Sequence, residues 1–308
     1  MKIAVIGAGI NGLFIGQKLA ELGNKVTIFE KKKETGNNVC SGLFSLRLLD
    51  FIPEAEKLTE NRIKSVKIHF PKKTIEVVFS KEFLVMSHSK LDKLAADLAA
   101  KKGVKILLDN NIKEIPSGFD MVIGCDGYDS IIRKSLKLNN LNLRLGIQGF
   151  VKEKWDANFV EVWPQKNGLL WKIPRRDEIE YGVIASPFTA SWLFKDFAKK
   201  GNISFSSVKS KIIPQDLDIP DNDKITLCGD AVGLTKPWSG GGVIWGLIAA
   251  DILIKTFPDI KKYRLETLLF FKRKILLSKI ALKLVYFFGF KFPWIIPSKL
   301  KMESDFLF

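Results

Sequence analysis

The first dozen residues constrain this chain more than any other stretch. "KIAVIGAGING" runs from an apolar strand at residues 2–6 into Gly7, Gly9 and Gly12, and a helical pattern continues to Leu22 with Gly23 as its stop. Glycine at this spacing, after a strand and opening a helix, removes the side chains that would hold a pyrophosphate away from the amides of the loop, Ala8 among them. The next strand, KVTIFE, ends at Glu30, with Lys31 after it. A carboxylate there accepts hydrogen bonds from both hydroxyls of a ribose. Strand, helix and acid in register predict the opening βαβ unit of a dinucleotide fold.

NAD and FAD share an adenosine diphosphate half, so this motif alone does not separate them. A second glycine cluster does. In "CGDAVGLTKPWSGGG", residues 228–242, Asp230 follows an apolar strand and is placed to bond a polyol hydroxyl. Gly241 and Gly242, just ahead of Val243, then let a flat ring approach bare backbone at the start of a helix. FAD carries a ribityl chain and an isoalloxazine to use both features, and NAD has neither. A helix N-terminus beside reduced flavin contributes about 0.3–1 kcal/mol to its negative charge. The cofactor expected is FAD.

Between the two clusters the hydrophobic period switches repeatedly. RIKSVKIHFPKKTIEVVFS, residues 62–80, alternates with a period of two on both sides of a PKK turn and predicts an antiparallel hairpin. A helix is expected over 90–103, a buried strand at 121–125, and a short helix with Asp129 at its start. Alternating strands then fill 143–214 apart from a helix near 189–200. The expected class is α/β: a Rossmann-type FAD-binding domain built from 1–61, 82–142 and 215–258, interleaved with an antiparallel-sheet domain from 62–81 and 143–214. Residues 259–308 are expected to form a helical, basic and apolar C-terminal segment.

Charge and composition narrow the function further. The formal charge is +16, and residues 259–308 carry eleven Lys or Arg against four Asp or Glu. This charge lies along an apolar helix rather than among stacking aromatics, which argues against a nucleic-acid partner. Three scattered cysteines and two histidines give neither a disulfide framework nor a metal site. An opening strand and glycine turn do not read as a signal peptide, and no uncharged apolar run is long enough to span a bilayer. A cytoplasmic protein is expected, with peripheral attachment to the inner face of the membrane as one role for the tail.

Taken together, "GAGING", Glu30, "GCDGYDSIIRKSL" at 124–136 and the second glycine cluster resemble the FAD enzymes of the para-hydroxybenzoate hydroxylase fold. Within that fold, "NNVCSGLFS" before and including Ser45 and "LLWKIPRRDEIEYGV" at 169–183 resemble the geranylgeranyl reductases, which saturate isoprenoid double bonds. The resemblance implies that Asp126 and Gly127 lie near the FAD diphosphate, Asp230 meets the ribityl chain, and Gly242 and Val243 sit beside the isoalloxazine. It places Cys40, Ser41 and Gly42 where flavin and substrate meet. Trp171 and Pro174 match the family's aromatic substrate wall, and Trp238 joins them as a substrate residue. His88 stands where the fold often carries an arginine that reaches the cofactor. On the residues alone, Asp126 reads equally as a helix cap and Trp171 as a core side chain.

The implied reaction is hydride transfer from reduced flavin to a geranylgeranyl or related lipid, matched by a proton delivered to the other carbon. Cys40 is the donor that the sequence suggests; its alternative is packing beside the ring. An external electron donor, NAD(P)H or ferredoxin, is implied as well. The rival is an FAD monooxygenase of the same fold. The C-terminal stretch LLFFKRKILLSKIALKLVYFF, with Lys272, Lys279 and Lys283 striped through apolar surface, either meets an anionic bilayer or roofs the substrate pocket.

Overall fold

The computed structural model describes residues 1–36 and 39–302. The Asn37–Asn38 pair that opens the NNVCSGLFS stretch, and the tail beyond residue 302, lie outside the described residues.

The chain opens with β1 (Lys2–Ile6), α1 (Ile10–Glu21) and β2 (Lys25–Phe29). β1 is buried from Ile3 onward and pairs in parallel with β2, bringing Val5 beside Ile28. Gly23, at φ +82°, supplies the left-handed residue that ends α1 and turns the chain back. The short β3 (Leu43–Ser45) and α2 (Leu48–Phe51) lead to the hairpin of β4 (Asn61–Phe70) and β5 (Lys73–Val85). Val66 faces Val77 and Ile68 faces Ile75 across it, as a period of two requires.

Helix α3 (His88–Lys101) starts two residues before the stretch its periodicity marks, because the Ser87 hydroxyl accepts a hydrogen bond from the Lys90 amide and caps it there. His88 therefore belongs to the first turn of the helix. β6 (Lys105–Leu107), β7 (Met121–Gly124) and α4 (Ile131–Ser135) follow. The sequence places Asp129 at the start of α4, but Ser130 takes that position, its Oγ accepting from the Arg133 amide at 3.1 Å. Asp129 instead pairs with Lys134.

β8 (Leu143–Val151), β9 (Phe159–Gln165), β10 (Gly168–Pro174) and β11 (Ile179–Ala185) come next, then α5 (Ala190–Lys200) and β12 (Ser207–Pro214). The chain closes with β13 (Ile225–Leu227), α6 (Val243–Thr256), α7 (Ile260–Lys291) and β14 (Lys299–Met302). Among the described residues these strands make two sheets. The parallel one runs β13-β7-β1-β2-β6, and the larger, mainly antiparallel one runs β12-β8-β11-β10-β9-β4-β5-β14, with β3 also paired to β5. The hairpin and the 143–214 strands thus share one sheet, joined where β4 pairs in parallel with β9.

The main core lies against the parallel sheet, where α1, α3 and α6 bury Leu13, Leu91 and Trp245. Helix α7 is tied into it by Tyr263, which is fully buried and donates its hydroxyl to the Leu227 carbonyl at 2.9 Å, and by Phe271. Farther along, Gly289 rests on the hairpin so closely that a Cβ would enter the Phe70 ring. The C-terminal segment is not wholly helical: residues 299–302 add a parallel strand to the open edge of β5. Leu300 and Met302 there pack on the small core around Phe70, Ile75 and Val77. The outer face of α7, about 48 Å long at 1.5 Å per residue, exposes Leu265, Leu269, Leu276, Ile280 and Phe287 at helical spacing.

Candidate active site

β1 is the point where the parallel sheet changes direction, with β2 on one side and β7 on the other. Loops leaving the strand ends on either side of such a point diverge and leave a crevice. A cleft of about 680 Å³ occupies it, and β8, β10 and β12 of the other sheet close its far side.

The near wall is made largely of backbone. Gly7 has φ +104°, and a Cβ there would strike the Cys125 carbonyl. At Gly12 a Cβ would strike the Gly7 carbonyl oxygen. These two glycines pack the turn against β7 and its following loop. Gly9 differs: a Cβ there would meet no protein atom within 4 Å, so the space it leaves belongs to the cleft. Glu30 clamps the loop from β2, its carboxylate accepting from the Ala8 amide at 2.7 Å and from the Lys32 amide at 2.9 Å. Gly241, Gly242 and Val243 bring the start of α6 to the same cleft, where Gly242 is the helix cap and no side chain satisfies the first amides.

The far wall presents Ile147, Gln148, Trp171 and Lys211 to the cleft and is held in place by ion pairs. Lys211 on β12 donates to Asp230 Oδ2 at 2.8 Å, and this carboxylate, outweighing burial, holds the ammonium above its usual pKa. Arg175, in the turn after β10, is buried and bonds Glu180 through both Nε (3.1 Å) and Nη2 (2.6 Å). The same guanidinium donates to the carbonyls of Ser41 (2.7 Å) and Met86 (3.1 Å), so it fastens the cysteine loop to the antiparallel sheet. Glu180 also accepts from the Trp171 indole at 3.0 Å. Burial disfavours the Arg175 charge, but Glu180 and Glu60 outweigh it and hold its pKa above the ordinary value.

Cys40 and His88 meet where the two walls join. His88 Nε2 lies 3.3 Å from Oδ1 of Asp92, one turn along α3 and wholly buried. Burial opposes charge on the ring, yet Asp92 and then Cys40 raise the imidazolium pKa to about 10. Burial likewise pushes the Cys40 thiol up, and His88 with the Gly42 amide pulls it below the ordinary thiol value. The His88 imidazole therefore carries a proton at neutral pH, next to a thiol that is more acidic than an ordinary one.

Most of the anticipated residues do converge. Gly7, Ala8, Gly9, Glu30 and Lys31 line the cleft, with Cys40, Ser41 and His88 at its junction. Asp126, Gly127, Trp171 and Asp230 complete the lining together with Gly241 to Val243. Four others lie elsewhere. Gly12 is packed beneath the loop, and Gly42, at φ +63°, is pressed against the Met86 carbonyl and the Arg175 guanidinium. Pro174 is buried at the end of β10, opposite Ile179, and Trp238 lines a separate cavity. Asp126 Oδ2 accepts from the Ile131 amide at 2.8 Å at the start of α4, while its Oδ1 is buried without a partner beside the cleft.

Residues 2–127 match the family model for FAD dependent oxidoreductases. The digeranylgeranylglycerophospholipid reductase 1 of Methanosphaera stadtmanae is 24% identical over 83% of this chain and 76% of its own length. In structure, a geranylgeranyl bacteriochlorophyll reductase-like protein from Thermoplasma acidophilum superposes with a TM-score of 0.78 at 20% identity, covering 91% of this chain and 86% of that one. The chain carries an FAD-dependent oxidoreductase domain and is similar to geranylgeranyl reductases in fold and sequence. A more distant likeness, 21% identical over 82% of this chain and 71% of its own length, is to the kynurenine 3-monooxygenase of Christiangramia forsetii.

The cleft of this oxidoreductase fits its cofactor. At Gly9 and Gly127 a Cβ would meet no protein neighbour within 4 Å, and the unpartnered Asp126 oxygen and the uncapped α6 amides add polar groups beside the cleft. Motif reading passes over Arg175, Glu180, Lys211 and Asp92. Only Asp92 leaves a signal, its spacing of four from His88 on one helix face; the others come together through strand pairing between distant segments.

Proposed function

We propose that this oxidoreductase saturates C=C bonds in an isoprenoid lipid chain. The observation that carries the reading is the Cys40–His88–Asp92 junction, which holds an exchangeable proton at the seam of the backbone wall and the Trp171 wall. FAD, when bound, supplies the hydride. The Gly7–Gly12 loop, Glu30 and Gly127 hold its diphosphate half, and Asp230 with Gly241–Val243 holds the ring end. Reduction of an isolated alkene also requires a proton, and His88 stores it on its imidazole while Asp92 keeps the ring charged. Trp171, fixed by Glu180, gives the apolar chain a wall that excludes water.

The lipid arrives from a membrane surface. No helix among the described residues is long and apolar enough to cross a bilayer, but the exposed stripe of α7 is apolar and carries Lys272, Lys279 and Lys283. Basic residues near an anionic surface contribute about 1 kcal/mol each. Flotation with anionic vesicles is expected for the intact protein and is lost in a Leu269→Glu, Leu276→Glu variant.

The reaction is tested by anaerobic incubation of the reduced, FAD-loaded protein with geranylgeranyl lipids and by product mass. A gain of two hydrogens per double bond is expected. No gain, together with oxygen incorporation when NAD(P)H and air are supplied, would replace this reading with hydroxylation, the activity that the Christiangramia likeness suggests.

A further inference from the structure

A second cavity, of about 850 Å³, lies between α7 and the strand ends of the antiparallel sheet. Four cations line it: Arg144 from β8, Lys166 from the turn between β9 and β10, and Lys283 and Lys291 from α7. No carboxylate lines it, and among the described residues none of the four forms an ion pair. Arg144 is the most telling of them. It is half-buried, donates only to the carbonyls of Asn167 (3.1 Å) and Ile184 (3.4 Å), and keeps a buried Nε with no partner. Burial lowers its pKa, as expected of a cation without a counter-charge. Like charges gathered around one cavity repel, and an anion between them removes that penalty.

Apart from Asn167 and Ser186 the rest of the lining is mainly apolar, Trp238, Phe287 and Phe290 among it. Tyr286 is fixed by donating its hydroxyl to the Gly168 carbonyl at 3.1 Å. Trp238 also sets a direction. The residue after it, Ser239, lines the flavin cleft, so one loop separates the two spaces. We propose that this cavity binds the phosphate-bearing head of an amphiphile whose hydrocarbon chain passes over the 237–239 loop toward the flavin cleft. The proposal rests on the reductase reading for the chain's identity as an isoprenoid, and on the cavity alone for the phosphate.

Calorimetry on the full-length, FAD-loaded protein separates the two. Geranylgeranyl diphosphate is expected to bind at least about tenfold tighter than geranylgeraniol, since charge-assisted hydrogen bonds to phosphate are the strong ones. Lys166→Gln with Lys283→Gln changes two exposed side chains and should cut that preference to about threefold or less while leaving the alcohol's affinity in place. An undiminished preference in the double variant, or none in the parent, overturns the proposal. Inorganic phosphate binding as tightly as the diphosphate would make this a free-phosphate site and would also overturn it. A geranylgeranylated glycerophospholipid that competes with the diphosphate supports a lipid head as the natural source. A charge preference without any reduced product would leave the cavity's role standing and remove the reductase reading; product without the preference would do the reverse.

Discussion

The two walls of the flavin cleft are built from different material. On the parallel-sheet side the surface is glycine backbone, shaped by what is missing: a Cβ at Gly7 or Gly12 has no room, and at Gly9 its room is the cleft itself. On the antiparallel side the surface is held by ion pairs, the buried Arg175 with Glu180 and the half-buried Lys211 with Asp230. A backbone wall tolerates almost no substitution at a few positions and is indifferent elsewhere. An ionic wall depends on each partner, because removing one leaves the other charged and desolvated.

That difference predicts that the largest loss comes from the ionic side. Arg175→Met strips Glu180 of its partner and frees the carbonyls of Ser41 and Met86, which anchor the cysteine loop. Breaking a buried pair in this way costs about 3–5 kcal/mol, and thermal unfolding should show it as a drop in Tm of order 10 °C. Arg175→Met with Glu180→Gln should recover part of the loss, since no uncompensated charge remains. If the single variant melts with the parent, the latch carries no weight and the comparison fails.

On the backbone side the same test needs two glycines. Gly12→Ala drives a methyl into the Gly7 carbonyl, so apoprotein stability should fall toward the upper end of the about 1–3 kcal/mol typical of overpacking. Gly9→Ala meets only cleft. Its apoprotein should melt within about 1 °C of the parent while flavin absorbance after reconstitution drops, because the methyl occupies the cofactor's space. Equal effects of the two on apoprotein melting would show that Gly9 is a packing glycine as well.

This division also explains what the sequence reveals. A backbone wall is written locally: Gly7, Gly9, Gly12 and Glu30 fall within one βαβ unit, and Gly241 to Val243 sit at one helix start, so spacing alone points to them. The hairpin register was equally legible, since a one-residue slip would turn Ile75 and Val77 to the wrong face. An ionic wall is written non-locally. Lys211 finds Asp230 only after β12 has paired with β8, and Arg175 reaches Ser41 across more than a hundred residues. Strand β14 was hidden for the same reason: KLKM is too short and too charged to announce a strand, and it forms because the edge of β5 is open. Pro174 and Trp238, expected as substrate residues, lie outside the flavin cleft, because Pro174 closes β10 opposite Ile179 and Trp238 faces the second cavity.

The smallest expected effect lies at the seam of the two walls. His88 is charged in the folded protein up to about pH 10, against an ordinary histidine value near 6.5. A raised folded pKa gives stability that is complete below about pH 6.5 and is lost as pH rises through about 10. His88→Gln should therefore cost on the order of 1.5 kcal/mol at pH 6, in the range of a charged hydrogen bond. Near pH 10.5 the cost should nearly vanish, because the parent's own imidazole is then neutral and Asp92 is equally unsupported in both proteins. Alkylation sharpens the point, since Cys228 is pushed up to about 12 and Cys125 also upward by burial, while Cys40 is lowered. At pH 7 Cys40 should react first with iodoacetamide and slow about tenfold in His88→Gln, with the other two unchanged. A pH-independent stability gap together with unaltered Cys40 reactivity would mean that the imidazole only fills space at the seam.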